Sequence, residues 1–255
     1  MKTIKTFFLL TVIIAGFSSC LNVRSIQLQL NNLHTDIDYE LISAIYEGER
    51  EKTVYLNPID SSHMENYTIV KNSRILALPF IIYNYSHKKL NVVLGEYTLT
   101  QPYREFLTDA LLAECNRSAC FSLNTNNKAP LSDNVYSLDI KIIHNKTQSG
   151  IKETNTALLF PILFSGGDFE YFCTTAYSVL PTFSDLSIAV SLKKDVVTLW
   201  EKQYSTRQHF EHSSYCDFTD VSERCVYKMT QCLSLATEQI VTDISRDLNL
   251  ILSSQ

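Results

Sequence analysis

DVSERCVYKMTQCLSLATEQIVTDISRDLNLI, residues 220–251, is the stretch that decides the fold. The opening Asp220–Glu223 fits a helix-capping box, and its acidic side chains suit the positive end of the helix dipole. Apolar and small residues then recur every three or four positions, which is the spacing of one helix face; they are Cys225, Met229, Cys232, Ala236, Ile240, Ile244, Leu248 and Ile251. A stripe of this length needs a broad sheet to pack against, so a long C-terminal helix on a sheet is predicted.

The strands of that sheet are predicted upstream of the helix. Val135–Ile143 and Leu186–Leu192 each alternate between apolar and polar residues, which is the period of a half-buried strand. Lys193–Asp195 is predicted to turn the chain, and Val197–Tyr204, which contains the lone tryptophan, returns as a partner strand. An antiparallel hairpin follows from this pattern.

A second helix is predicted after Thr100-Gln101-Pro102, because threonine caps helices and proline is tolerated in the first turn. Two further strands are predicted at Leu76–Tyr83 and Leu90–Leu94, joined by a turn at Asn84–His87. The buried face of the second helix is predicted from its spacing as Tyr103, Phe106, Leu107, Ala110 and Leu111. The element order predicts the α+β class: an antiparallel sheet with two helices packed on one face, one mid-chain and one long and C-terminal.

The N-terminus has the features of an export signal. Lys2 and Lys5 precede the apolar run Phe7–Phe17, and the small residues Ser18 and Ser19 follow it. The run is too short to span a bilayer, which needs about 20 residues. We therefore predict a signal peptide at 1–19, an N-terminal tether with irregular structure at 20–74, and a single α+β domain at 75–255.

The stretch Gly16-Phe17-Ser18-Ser19-Cys20 resembles a bacterial lipobox, although Phe17 stands where that pattern has a smaller aliphatic residue. The resemblance implies that Cys20 becomes the acylated first residue of a lipoprotein, held at the cell envelope by its lipid. Leu21 replaces the aspartate that retains such proteins in the inner membrane, which implies the outer membrane. An ordinary signal peptide remains the alternative.

Composition and motifs narrow the function classes. Removal of residues 1–19 takes away two lysines and changes the formal net charge from −5 to −7, which argues against a nucleic-acid partner. No motif for nucleophilic catalysis, phosphate binding or a zinc protease occurs, so neither an enzyme nor a cofactor is predicted. The one ligand-like cluster, His209 and His212 with Cys216, is predicted to be a polar strand end and not a metal site.

Six cysteines remain after Cys20, and an even number in an exported chain suggests disulfides. Cys225 and Cys232 lie seven residues apart on the predicted helix, too far to pair with each other. The favoured set joins Cys115 to Cys120 around a turn at 116–119, and Cys173 and Cys216 each to one helical cysteine. Buried free thiols are the open alternative.

An almost wholly apolar segment, Ala157–Gly167, is predicted to lie between strands. It is either a flap folded onto the core or an exposed patch that contacts a partner or a membrane. The residues predicted for such a contact are Leu158, Leu159, Phe160, Ile162, Leu163 and Phe164.

The chain resembles small bacterial envelope lipoproteins in the order of its elements. These are the signal, the lipobox, the helix opened by Pro102, the Lys193–Asp195 hairpin with Trp200 and the long C-terminal helix. The proteins it resembles are the auxiliary lipoproteins of lipid-transport ABC systems, the lipopolysaccharide-assembly lipoprotein and the N-terminal domain of the Tol translocation protein. The resemblance implies a non-enzymatic docking or structural component of an envelope transport or assembly complex. Two alternatives stay open: a lipoprotein that binds a small lipid or glycan between sheet and helices, and a eukaryotic secreted glycoprotein carrying sugars on its Asn-x-Ser/Thr triplets.

Overall fold

A computed structural model describes residues 23–61, 69–75, 83–125, 135–161, 169–211 and 213–254. Three helices are α1 (Val23–Asn32), α2 (Tyr103–Ser118) and α3 (Val221–Ser253), and a short 3₁₀ turn covers Glu96–Thr98. The strands are β1 (Lys52–Leu56), β2 (Ile69–Ile75), β3 (Tyr83–Val93), β4 (Phe121–Thr125), β5 (Tyr136–Pro161), β6 (Phe169–Val179), β7 (Thr182–Lys194), β8 (Val197–Phe210) and β9 (Ser214–Cys216).

The long strand β5 organises the sheet, because every other strand pairs with it directly or through one neighbour. One run of strands has the order β2-β3-β5-β1-β4. In addition, β5 pairs with β7, which pairs with β8, and with β6, which pairs with β9. Most pairings are antiparallel, as predicted, but β1 lies parallel to both β4 and β5. The sheet is therefore mixed. This was not predicted, because the sequence pattern did not reveal β1.

The change of partner along β5 falls at a glycine. Residues 136–148 pair with β7, and Ile151–Pro161 pairs with β6. Between them, a Cβ at Gly150 would lie 3.0 Å from the backbone oxygen of Leu90 and 2.9 Å from a methyl carbon of Leu180. Only a residue without a side chain allows the neighbouring strands to approach this closely.

The predicted α+β class is confirmed, with α2 and α3 on the sheet. The residues predicted for the buried stripe of α3 are buried, except that Ile251 is half-buried, and all five predicted for α2 are buried. The two helices also contact each other through hydroxyl pairs, Tyr103 with Thr237 at 2.9 Å and Ser118 with Ser245 at 3.1 Å. None of the helices in the described ranges is long and apolar enough to cross a membrane.

The N-terminal part of the chain differs from the predicted tether. Ile26 and Leu30 of α1, and Val54 and Leu56 of β1, are almost completely buried in the core. The residues described from Val23 onward therefore belong to the folded body. Their contribution was missed because they contact segments distant in sequence and carry only a weak period of their own.

Two local predictions also need correction, a third lies almost wholly outside the described residues, and a fourth agrees with the structure. Asn84–His87, predicted as a turn, lies inside β3, and α2 continues through most of the predicted turn at 116–119. The predicted strand Leu76–Tyr83 has only Tyr83 within the described residues. The predicted turn at Lys193–Asp195 does join β7 to β8; there Asp195 adopts a φ of 55°, and its carboxylate accepts a hydrogen bond from the backbone of Val135 at 2.9 Å.

A polar contact fixes α3 to the edge strand β8. Lys202 Nζ and the Tyr204 hydroxyl both donate to Oδ2 of Asp247, at 2.6 and 2.7 Å. Burial alone would raise the pKa of Asp247, but these hydrogen bonds outweigh it and hold the pKa below the ordinary value of 3.8. A depressed folded-state pKa stabilises the fold above the unfolded pKa, and this stabilisation is lost as the pH falls through the folded value.

We predict that Asp247→Asn lowers the free energy of unfolding by about 1 kcal/mol at neutral pH, because one partner of a half-exposed ion pair is lost. The difference from the wild type should shrink as the pH falls through the lowered folded-state pKa of Asp247, because the wild-type carboxyl then becomes protonated as well. Urea unfolding over a series of pH values from neutral into the acid range measures this. Asp243→Asn is the control. Asp243 forms an exposed ion pair with Arg246 one turn away, so this substitution should change the free energy of unfolding by a few tenths of a kcal/mol at most.

Candidate functional site

An extended segment, residues 33–50, crosses the outer side of α2 and α3; we call it the strap. The Ser234 hydroxyl of α3 donates to the backbone oxygen of Asp38, and the backbone N–H of Glu40 donates to Glu238 Oε1 at 3.3 Å. Further along, the backbone N–H of Tyr46 donates to the carbonyl of Arg117 at the end of α2, at 2.9 Å. The strap is thus attached to both helices.

Two arginines strengthen the attachment at the end of α2. Arg117 Nε donates to the carbonyl of Ser43 at 3.0 Å. In the opposite direction, Arg50 of the strap donates from Nε to the carbonyl of Ala119 at 3.2 Å and from Nη2 to the carbonyl of Asn116. Charged donors to carbonyls of a helix end satisfy acceptors that the helix leaves open.

Beneath the strap lies a buried polar pair. The Tyr39 hydroxyl donates to Oε2 of Glu114 at 3.0 Å, while Oε1 of this fully buried carboxyl group has no hydrogen-bond partner in the structure. Burial, and next the charge of Glu114, raise the pKa of Tyr39 above its usual value, so the phenol keeps its proton as a donor. The strap therefore supplies a needed donor to the helix layer.

The strap presents apolar side chains to solvent. Leu41, Ile42 and Ile45 are 41%, 60% and 68% exposed, and we call these three the strap patch. Exposed carboxylates surround it in the sequence: Asp36, Asp38, Glu40, Glu47, Glu49 and Glu51. Sequence reasoning missed this patch, because its only signal is three aliphatic residues inside an acidic stretch without helical or strand period.

The predicted contact segment takes a different form from the one expected. Residues 157–161 belong to β5 and not to a connection between strands, with Leu158 opposite Phe172 and Leu159 opposite Tyr171 of β6. Phe160 lies opposite Glu170, whereas Ile162, Leu163 and Phe164 lie outside the described residues. We call residues 157–161 of β5 and their partners on β6 the strand end.

The strand end is further along β5 and β6 than the residues whose burial is described. Ile151 of β5 and Val179 of β6 are the outermost buried apolar residues described on these strands, and Pro161 is ten residues further, about 33 Å of strand. Ile26 of α1 packs in the same cluster as Ile151 and Val179. Cys20, the predicted anchor position, precedes α1 by three residues in the sequence and lies outside the described residues.

The structure holds no disulfide among the cysteines it describes. Cys115, Cys120, Cys216, Cys225 and Cys232 are free thiols, and the side chain of Cys173 is outside the described part. The predicted Cys115–Cys120 bond is not formed: α2 runs on to Ser118 and turns Cys115 into the core, while Cys120 Sγ lies 3.9 Å from the backbone oxygen of Asn249. Burial raises the pKa of Cys115 to about 12.

The histidine cluster is only partly described. His209 is exposed, with Nε2 3.3 Å from Oε1 of Glu211, and His212 lies outside the described residues. Among the residues that the structure describes, no group of three His, Cys, Asp or Glu side chains is placed to hold a metal ion.

Two cavities bear on the ligand-binding alternative. The one between sheet and helices, beside Leu94, Thr147 and Leu233, measures about 10 Å³, enough for one water molecule. A larger one of about 490 Å³ lies between the end of α1 and the start of α3, lined by Leu33, His34, Thr35, Asp220, Glu223, Arg224, Val226 and Tyr227. The space between sheet and helices beside Leu94, Thr147 and Leu233 is therefore almost filled by side chains.

Comparison with known proteins gives similarity to solved structures alone. No protein-family model and no curated protein matches the chain. A crystal structure of protein XCC0632 from Xanthomonas campestris, of the DUF330 family, is similar at 10% identity and a TM-score of 0.44, covering 87% of this chain and 97% of that one. A Helicobacter pylori protein described as a neuraminyllactose-binding hemagglutinin homolog is similar at 8% identity and a TM-score of 0.39, covering 83% and 90%. At such TM-scores neither similarity assigns a function to this chain.

We predict that Tyr39→Phe destabilises the fold by about 1–3 kcal/mol, because it removes the hydroxyl that donates to a buried carboxyl group. Chemical denaturation measures the loss, and amide hydrogen exchange should show faster exchange at Glu40 and Tyr46, whose N–H groups bond the strap to the helices. Tyr97→Phe is the matched control, since that ring is 72% exposed. Equal effects of the two substitutions would contradict a role of the buried pair in holding the strap.

Proposed function

We propose that this chain is a non-enzymatic lipoprotein of the bacterial cell envelope, anchored at the outer membrane through Cys20, which docks on a protein of an envelope transport or assembly complex. The export signal followed directly by a lipobox-like cysteine supports the anchor. Two or three acyl chains on one residue are sufficient for stable membrane attachment. The folded body then has no need of a spanning helix.

The observation that carries the docking role is the strap patch. Its three aliphatic side chains are exposed although hydrogen bonds hold the strap on both sides of them, at Glu40 and at Tyr46. Nothing in the attachment of the strap uses these side chains, because every bond named above is made by backbone or polar groups. Grouped exposed apolar residues rimmed by polar ones are typical of a protein contact.

Charge indicates the chemistry of the partner. The exposed carboxylates that flank the strap patch would repel the anionic surface of a membrane. They favour a protein surface with an apolar centre and a rim of lysine or arginine, because complementary charge steers association and rejects other partners. A protein partner is therefore proposed for the strap patch, and not lipid.

The strand end supports the same proposal as a second contact. Leu158, Leu159 and Phe160 pair with a part of β6, Phe169–Thr174, whose other edge offers backbone hydrogen-bonding groups to no strand among the described residues. Such groups are costly in hydrocarbon, whereas a protein partner can satisfy them by adding a strand. The apolar composition and the open edge together favour a protein over a bilayer.

Site-specific photocrosslinking in cells tests the docking role. A photoreactive phenylalanine analogue placed at Ile42 or Ile45 should give one discrete adduct with an envelope protein. The same analogue at Val196, which is 94% exposed on the β7–β8 turn, is the control and should give none. Ile42→Asp with Ile45→Asp should abolish partner binding while the thermal midpoint stays within about 2 °C, since exposed positions contribute little to stability.

Two results would overturn the docking role. One is the absence of an adduct at both strap positions under conditions where the protein is folded and exported. The other is loss of the folded state in the doubly charged variant, which would show that the strap patch belongs to the core.

The anchor is tested separately by its chemistry. The wild-type protein should partition into the detergent phase, and its intact mass should exceed that of the chain from residue 20 by the mass of acyl chains. Cys20→Ser should move the protein into the aqueous phase without a change in thermal midpoint, because residue 20 precedes the folded body. A wild-type mature protein with an unmodified Cys20 would refute the anchor.

A further inference from the structure

Two free cysteines belong to one apolar cluster at the start of α3. Cys225 lies on the first turns of the helix and is fully buried in the cluster formed with Val221, Met229 and Val179. Cys216 ends the short strand β9, is partly exposed, and packs against the same cluster. β9 pairs with β6 through Cys216 and Tyr177, so strand pairing places Cys216 next to the helix start.

The other cysteines whose side chains are described lie apart from this pair. Cys115 belongs to a different apolar cluster, the one that includes α2, and hydrogen-bonds Ser245, which is twenty residues or about 30 Å along α3 from Cys225. Cys120 lies beside Asn249, still further along. Cys232 lies about 10.5 Å along the helix axis from Cys225. Its side chain hydrogen-bonds the backbone of Ser184 on β7.

The position of Cys173 is known from its strand. It lies on β6 opposite Ala157, four residues before Tyr177, so about 13 Å of strand separates it from the residue opposite Cys216. A disulfide requires Cα atoms within about 7 Å. Among the cysteines with described side chains, Cys216 and Cys225 are thus the two that share one cluster.

We propose that Cys216 and Cys225 form a structural disulfide that ties β9 to the first turns of α3. The location in an oxidising envelope rests on the proposed function, whereas the pairing itself rests on the structure alone. Fixing this bond leaves three of the 15 complete sets of pairings that six cysteines allow. It closes a loop of residues 217–224. Phe218 of this loop packs against Tyr177 of β6, with the ring centroids 5.3 Å apart.

The chemistry needs a disulfide-bearing oxidant, such as a thiol–disulfide oxidoreductase of the envelope. The partly exposed Cys216 thiolate attacks the oxidant's disulfide, forms a mixed disulfide and releases one thiol. Cys225 then loses its proton and displaces the second thiol, so two protein thiols become one disulfide and the oxidant's disulfide becomes two thiols. Burial raises the pKa of both groups, Cys225 to about 12, so the thiolates are scarce and the bond, once made, is a structural one.

Peptide mapping after alkylation tests the pairing. The wild-type protein, equilibrated in a glutathione buffer rich in the disulfide form, should yield one cross-linked peptide pair that joins Cys216 to Cys225 and lacks two hydrogens. Cys216→Ser and Cys225→Ser should each leave the remaining thiol alkylated. Cys232→Ser is the matched control, a cysteine of the same helix whose replacement should leave the cross-link intact.

A thermal scan gives a second readout. If Cys216 and Cys225 were only in contact, reduction would not change the thermal midpoint. Reduction should lower the midpoint of the wild type by about 5 °C and leave Cys216→Ser unaffected, since only the wild type has a loop to release. Alkylation of both cysteines after full equilibration, or a cross-link from Cys216 to Cys173, overturns the pairing. A bond that forms in glutathione but is absent from protein trapped in cells upholds the pairing and overturns the envelope location.

Discussion

Burial of α3 along the sheet is the interaction on which the rest of the structure depends. Its C-terminal part, from Leu233 to Leu252, packs into the cluster shared with α2, β1, β4, β5, β7 and β8. Its first turns, from Val221 to Met229, pack into a second cluster with α1, β3, β5 and β6. One helix of about 50 Å therefore holds two apolar clusters together, and each Å² of apolar surface that it buries contributes about 25 cal/mol to stability. The sheet side of the contact is supplied by β5, which is long enough to take part in both clusters.

The elements that carry their own period were predictable, and those fixed by distant contacts were not. The stripe of α3, the buried face of α2 and the alternation of β7 each repeat within a short window, so the sequence predicts them before any partner is known. The strap shows the opposite case, because the hydroxyl of Ser234 bonds to Asp38 and Glu238 to Glu40, almost 200 positions away. A segment of this kind has no period, and its conformation follows from the surface on which it lies. The same reason explains why β1, a strand of five residues lying parallel to two neighbours, left no pattern from which to predict it.

The candidate sites follow the same rule. The apolar run at 157–164 was visible in the sequence, but Pro161 and the glycines after it suggested a connection, whereas the register shows that β5 continues to Pro161 opposite Phe169. Proline is tolerated where strand pairing ends, but not in the middle of a hydrogen-bonded strand in the sheet. The cysteine spacing likewise allowed a small loop between Cys115 and Cys120, and only the length of α2 separates those two side chains. Spacing limits which groups can meet, but the direction of each side chain decides which of them do.

The strap also explains how an anchor and a docking surface can act together. The chain from Val23 to Arg50 runs without interruption through α1 and the strap, with Ile26 buried at one end and Arg50 bonded to the end of α2 at the other. The proposed lipid site lies three residues before this stretch, and the strap patch lies within it. A flexible linker would let the patch sample a wide volume, with a range that grows as the square root of its length. Here the described residues from Val23 onward belong to the folded body, so acyl chains attached three residues before Val23 would hold the strap patch within a limited range of distances from the bilayer. A partner that presents its binding surface at that height then needs to lose little freedom to bind, which is the physical advantage of anchoring a docking protein at its first residue.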